Sequence, residues 1–163
     1  MLKKLQTSKD QKGFTIIEVM IVLAIAGLII LVVLLAVPAL QRNSRNTAIK
    51  NDASAVAAAV TEFSSNNDGK MPTGSGSNAS TYSAGTVTIK GGLNTTEATA
   101  KVQGGTNVTF TGTPAGTPSQ LVVLFKKKCS NGTSFTVTDN SRATAVLYNV
   151  ETSGSVAPRC VDA

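Results

Sequence analysis

From Val19 to Leu40 the chain carries no charged residue, and this run of about 22 residues limits what the rest can become. As a helix it rises roughly 33 Å, enough to cross the hydrocarbon core of a bilayer. One residue at its edge is out of character. Glu18 stands in KGFTIIEVMIVLAIAGL, at the entrance to the apolar run. A carboxylate held at membrane depth costs on the order of 2.5–3.5 kcal/mol, so it needs a reason to be there. Ahead of it, Lys3, Lys4, Lys9 and Lys12 against Asp10 give residues 1–13 a charge of +3, half of the chain's +6. A short basic leader of this kind stays on the cytoplasmic side and sends the chain beyond Leu40 outward. Arg42, Arg45 and Lys50 weaken that asymmetry. The run is too long for a secretory signal peptide, and no small-residue cleavage site stands at its end.

Gly27 and Pro38 interrupt the apolar run, and the stretch between them, LIILVVLLAV, is rich in β-branched residues. These are mediocre helix formers in water because their χ1 is restricted. Pro38 has no N–H for the carbonyl of Leu34, so one helical bond is lost there. A bilayer hides both weaknesses by forcing backbone groups to pair within the segment. Outside lipid, Gly27 to Pro38 is the weak part of the helix. Beyond it the helical pattern continues through ALQRNSRNTAIKNDASAVAAAVTEFSSNN. Ile49, Val56, Val60 and Phe63 fall at offsets of seven, four and three, drawing one apolar stripe along a polar helix. Alanines at 55 and 57–59 let another element approach closely. Gly69 can close the helix and Pro72 blocks its return. The expectation is one long helix, membrane-spanning in its first half and amphipathic in its second, rather than two helices meeting near Pro38.

From Ser80 the signals change to strands. TVTIK (86–90), NVTF (107–110), LVVLFKK (121–127), SFTVTD (134–139) and ATAVLYNV (143–150) are short runs bounded by Gly, Asn, Pro and Ser. Asn131-Gly132 and Ser153-Gly154 mark turns. Residues 91–105 read as loop, or as a short helix around TEATAKV. The last three runs read as a meander whose one face takes the helix stripe and whose other face stays wet.

The N-terminal stretch KGFTIIEVMIVLAIAGL resembles the signature of type IV prepilins and their pseudopilin relatives. The basic leader, Gly13 just before Phe14, Glu18 four residues on and the apolar helix carry the likeness together. It is strong over residues 9–40 and looser through the long helix and its NNDGKMPT exit. The resemblance implies an α+β, pilin-like fold: a long N-terminal helix packed on a C-terminal antiparallel β-sheet. It implies a cytoplasmic leader at 1–13 that is cleaved, a transmembrane and filament-core helix at 14–40, and an amphipathic helix at 41–67 packing on the sheet. Residues 68–163 then form a loop region and a β-meander domain with a C-terminal disulfide region.

For function, the resemblance implies a structural subunit that polymerises into a type IV pilus for adhesion, twitching motility or cell contact. A prepilin peptidase cuts between Gly13 and Phe14 and methylates the new amine of Phe14. The precursor sits in the cytoplasmic or inner membrane as a single-pass protein with its N-terminus inside. Inner-membrane pilus assembly machinery then draws it into a helical homopolymer at the cell surface. Glu18, one turn from the amine, neutralises Phe14 of its own chain or of a neighbour. An acid in an apolar bundle is costly alone and tolerable when paired; snorkelling to the headgroups would leave the Gly-Phe junction unexplained. Gly13 offers the peptidase a closely approachable backbone. Gly27 to Pro38 is expected to melt or stretch in the filament, although in the family the Pro often stands about one turn earlier relative to the Phe. Two alternatives remain: a pseudopilin of a type II secretion system, and a minor or DNA-uptake pilin acting as a binding module.

The outer surface is less informative. Cys129 and Cys160 are the chain's two cysteines, and behind an export-type N-terminus they are most simply a disulfide, with free buried thiols the alternative. Lys126, Lys127 and Lys128 form the dense charge run beyond the leader. They read as a solvated strand end rather than a patch for nucleic acid, because strand side chains alternate faces. The triplets beginning at Asn78, Asn94, Asn107 and Asn131 are explained by abundant Ser and Thr. No His, no clustered carboxylates, no phosphate loop and no thiol with a base is found, so no catalytic residue, metal or cofactor is expected. Asp68, Asp139 and Glu151 are scattered, with no calcium-ligand spacing.

Overall fold

The computed structural model describes residues 13–76, 78–103 and 106–163. The leader lysines and Asp10 lie outside the described residues. The chain divides into two compact units, one ending at Leu40 and the other spanning Gln41–Ala163. Helix α1 (Ile16–Asn66) is a single element with Pro38 inside it, as expected, and not two helices.

Among the described residues of the N-terminal unit none is buried. The most apolar window of α1 has a mean hydropathy of 3.4 with none of it buried. Among the described residues, every large apolar side chain that stands exposed lies between Phe14 and Leu40, except Leu93. A helix that is apolar all round finds its cover outside itself.

The C-terminal unit has a closed core. The later part of α1 contributes Ile49, Ala53, Val56, Val60 and Phe63, none more than 2% exposed. These pack with Val87, Ile89, Ala98, Leu121, Val123, Val146 and Tyr148 from the strands. The stripe read from the sequence is therefore the buried face. The helix ends where Asp68 and Gly69 both turn left-handed, with φ of 53° and 75°, and the Gly69 N–H bonds the Ser64 carbonyl at 2.8 Å. Glycine accepts this conformation without strain, and an N–H returning to a carbonyl five residues back closes a C-terminal cap. Asn67, buried just before this turn, gives its Nδ2–H to the Phe63 and Thr96 carbonyls and takes the Thr96 N–H on Oδ1 at 2.6 Å. At Gly91 a Cβ would come within 2.5 Å of Phe63 Cζ, so only glycine lets the chain pass this ring.

Among the described residues, seven strands form two sheets rather than the single antiparallel sheet expected. β1 (Thr81–Ser83), β2 (Thr86–Ile89) and β3 (Ala98–Lys101) make one antiparallel sheet. β4 (Asn107–Thr109), β5 (Gln120–Cys129), β6 (Val137–Glu151) and β7 (Val156–Asp162) make the other, with β4 parallel to β5. The loop or helix expected around TEATAKV is instead strand β3. Ala98 and Ala100 are buried and pair with Ile89 and Val87, so a neighbouring strand overrides alanine's preference for helix. SFTVTD and ATAVLYNV are not two strands of a meander; the second half of the first and all of the second belong to the continuous β6, and β5–β6 is one long hairpin. The third partner in the row is β7, missed because Pro158 argues against a strand. Pro158 is tolerated because β7 is an edge strand.

The outer face of the larger sheet is not wet, as was expected, but covered. The pairing jumps from Phe125–Thr144 to Lys127–Asp139, so Asn140 to Ala143 bulge opposite Lys126, which is itself left-handed with φ 60°. Bulges bend the strands that carry them. Beyond this one the hairpin tip lies against the sheet, where Phe135, Val137, Cys129 and Leu124 pack on buried Val122, Ala145, Leu147 and Cys160. The Cys129 N–H bonds Asp162 Oδ1 at 2.7 Å, the Cys160 N–H bonds the Gly132 carbonyl at 3.2 Å, and a disulfide joins Cys129 to Cys160 with a Cα separation of 5.9 Å.

Candidate functional site

The start of α1 is built from four residues. Gly13 and Phe14 precede the helix in irregular backbone, and Phe14 is 88% exposed. Thr15 occupies the cap position and Glu18 is the third helical residue. The Thr15 Oγ1 accepts the Glu18 N–H at 3.3 Å, while Glu18 Oε2 accepts the Thr15 N–H at 2.8 Å and the Thr15 hydroxyl at 2.8 Å. This is a capping box, in which side chain and backbone satisfy each other reciprocally. Its effect is directional. The carboxylate is drawn back over the first turn, toward the peptide that joins Phe14 to Thr15, and it faces the positive end of the helix dipole.

Sequence reasoning singled out Gly13, Phe14 and Glu18 and passed over Thr15. The signal was present, since TIIE is the T-x-x-E spacing of a capping box. Gly27 and Pro38 lie further along α1 and are not gathered with these residues. A Cβ at Gly27 would meet nothing within 4 Å, so no packing partner among the described residues demands glycine there.

A second cluster ties α1 to the end of β6 within the C-terminal unit. The Arg45 guanidinium donates from Nε and Nη2 to the two carboxylate oxygens of Glu151, each at 2.7 Å. Next to it, Asn46 Nδ2 donates to the Glu151 carbonyl at 2.8 Å and Asn46 Oδ1 accepts the Glu151 N–H at 2.7 Å. Asn46 thus bonds the strand backbone as a neighbouring strand would. The hydrogen bond from Arg45 holds the Glu151 carboxyl below the usual carboxylate range; burial opposes this, and the charges of Arg45 and Arg42 add to it. Deeper in, Asp52 is 3% exposed and accepts the Gln103 N–H at 3.0 Å and the Thr106 hydroxyl at 2.7 Å. Neither anchor was legible, because each joins residues more than 50 positions apart.

The lysine run does not form a patch, though not for the expected reason. Lys126 breaks the strand alternation at the bulge, Lys127 pairs with Asp139, and Lys126 and Lys128 are exposed. Among the described residues no three His, Cys, Asp or Glu side chains gather as metal ligands.

Comparison with known proteins adds one finding. Residues 8–34 match the family model described as the prokaryotic N-terminal methylation motif, which is the type IV prepilin signature. The match covers 27 of the chain's 163 residues. No curated protein and no solved structure matches the chain. The motif marks pilin-like and pseudopilin-type proteins, a group that is structural rather than catalytic.

Proposed function

We propose, from the prepilin signature carried by residues 8–34, that this protein is a pilin: a structural subunit that polymerises into a type IV pilus. The observation that carries this reading is the uncovered apolar helix. A stretch with every large side chain exposed from Phe14 to Leu40 needs lipid before assembly and other copies of itself afterwards. Prepilin peptidase cuts after Gly13, freeing the Phe14 amine, and that nitrogen is then methylated. The freed amine lies one turn from Glu18. The Thr15 cap keeps that carboxylate aimed at the N-terminus, where it can meet the ammonium of its own chain or of an adjacent one. Paired in this way, the acid is tolerable among apolar helices and favours entry of a subunit at the level where both charges are satisfied.

The Gly27 to Pro38 segment is the part of the helix that melts or stretches on assembly. Its covering changes from lipid to protein, its residues are β-branched, and Pro38 leaves the Leu34 carbonyl without its helical donor. The deciding experiment is intact-mass and N-terminal peptide analysis of protein sheared from the cell surface. The expected result is a chain beginning at N-methyl-Phe14, abundant in that fraction, with Cys129 bridged to Cys160. A processed chain confined to the envelope would favour a pseudopilin instead. A chain retaining Met1–Gly13 and found only in membranes would overturn both.

A further inference from the structure

The exposed side of α1 within the C-terminal unit carries two opposite charges that form no ion pair among the described residues. Lys50 and Glu62 both face solvent, with exposed Asn51, Ser54, Ala58 and Thr61 between them. Among the described residues the ion pairs are Arg45–Glu151, Lys90–Glu97 and Lys127–Asp139, and neither Lys50 nor Glu62 takes part. Nor can they meet each other. Twelve residues of helix put Glu62 about 18 Å further along the axis and turn it about 120° around it. With Ile49, Val56, Val60 and Phe63 marking the core side, Lys50 and Glu62 fall on opposite flanks of the exposed face. The positions between them hold only short, uncharged side chains, which leave a neighbouring helix room to come close.

We infer that Lys50 of one copy pairs with Glu62 of the next, and that this contact sets the axial stagger between C-terminal units in the assembled polymer. The inference rests on the pilin reading, because copies drawn from one membrane share one orientation. Sliding a parallel copy by about 18 Å along the helix brings its Lys50 level with Glu62 of its neighbour. Because the two charges lie on opposite flanks, each copy offers Lys50 on one side and Glu62 on the other. Such a contact is heterologous and propagates from copy to copy instead of closing on itself. A single exposed ion pair adds little affinity. Its contribution is register: a slip that sets lysine against lysine or acid against acid is penalised, and the correct step is not.

Zero-length carbodiimide coupling of sheared filaments, read by peptide mass spectrometry, tests this directly. The reagent joins a lysine amine to a carboxylate only when the two are in contact. Since the two groups are too far apart within one chain, any Lys50–Glu62 amide is a link between chains. The expected result is that link in filaments, its absence from detergent-solubilised subunits, and its loss in Glu62→Gln. Glu62→Lys is expected to lower the sheared yield roughly tenfold, and Lys50→Glu combined with Glu62→Lys to restore it, since the swap recreates the complementarity. Unchanged melting of the C-terminal unit in each variant shows that folding is not the cause. Filaments that form without the link, and that form equally well in Glu62→Lys, overturn the pairing and leave the pilin reading standing. No sheared filament from the unmodified chain overturns the pilin reading and the pairing with it.

Discussion

On either side of Leu40 the same helix is stabilised in different ways. Up to Leu40 the apolar residues surround the axis, and among the described residues all the large ones are exposed and no strand lies against them. From Gln41 onward the helix is far more polar, yet eight of its residues are buried, from Ile49 to Phe63. The less hydrophobic half is the one with a core. The two differ in arrangement: spacing of three, four and seven puts apolar side chains on one face, where a sheet can cover them, and a continuous run does not. The first half depends on its surroundings for solvation, the second on the chain itself.

The largest effect expected from this contrast is all-or-none. A chain beginning at Gln41 should be soluble without detergent and unfold in one cooperative thermal step, whereas the full precursor should partition into detergent. Circular dichroism and size-exclusion chromatography decide it; a truncated chain that aggregates or melts without cooperativity breaks the comparison. Next comes assembly. Glu18→Leu should leave membrane insertion intact, because it removes a charge from an apolar segment, yet reduce the sheared filament by roughly an order of magnitude, because it removes the pairing with Phe14 proposed above. Wild-type filament yield in that variant would remove Glu18 from the mechanism.

Stability of the C-terminal unit gives smaller, graded effects. Phe63→Ala should cost about 3–5 kcal/mol, the usual range for emptying an aromatic site in a packed core. Leu31→Ala should leave the same unfolding transition where it was; a matching loss at both positions would mean that the two regions are not distinct. Reducing the Cys129–Cys160 bridge, which spans 31 positions, should cost roughly 3–4 kcal/mol in the chain-entropy model and free the hairpin tip from Val122 and Leu147. Hydrogen exchange should then rise first at Leu147 and Cys160.

The smallest effect is on pH. Glu151 has its carboxyl lowered in the folded protein by Arg45. Its contribution is therefore fully present above the unfolded carboxyl pKa, about 4.3, and is lost as pH falls through the lower folded value. Glu151→Gln should flatten that acid limb of the melting curve and leave the neutral value slightly reduced. An unchanged acid limb would show that the Arg45 contact does not persist in solution.

Much of this was written in short-range pattern. The apolar run, the basic leader, the Gly13–Phe14–Glu18 spacing and the Ile49-to-Phe63 stripe are each set by residues within a few turns of one another, and helix geometry converts such spacing directly into a face. Even Thr15, overlooked in the sequence, was available as a capping box in TIIE. The strands were legible only where alternating apolar residues were strong. β3 was hidden because Ala98 and Ala100 favour helix until Val87 and Ile89 stand opposite them, and β7 because Pro158 is acceptable only at an edge.

The sequence by itself thus determined the helix, the apolar segment that the described chain leaves uncovered, the buried face of the remainder and the prepilin-type N-terminus, since these depend on local spacing and on hydrophobicity. The tertiary structure alone decided the split into two sheets, the parallel β4, the bulge that carries the hairpin tip onto Val122 and Leu147, and the Arg45–Asn46–Glu151 and Asp52 anchors. Those depend on which distant residues meet. A hydrogen-bonding side chain such as Asn46 or Asp52 carries no mark in the sequence of the backbone group, some 50 to 105 residues away, that it will satisfy.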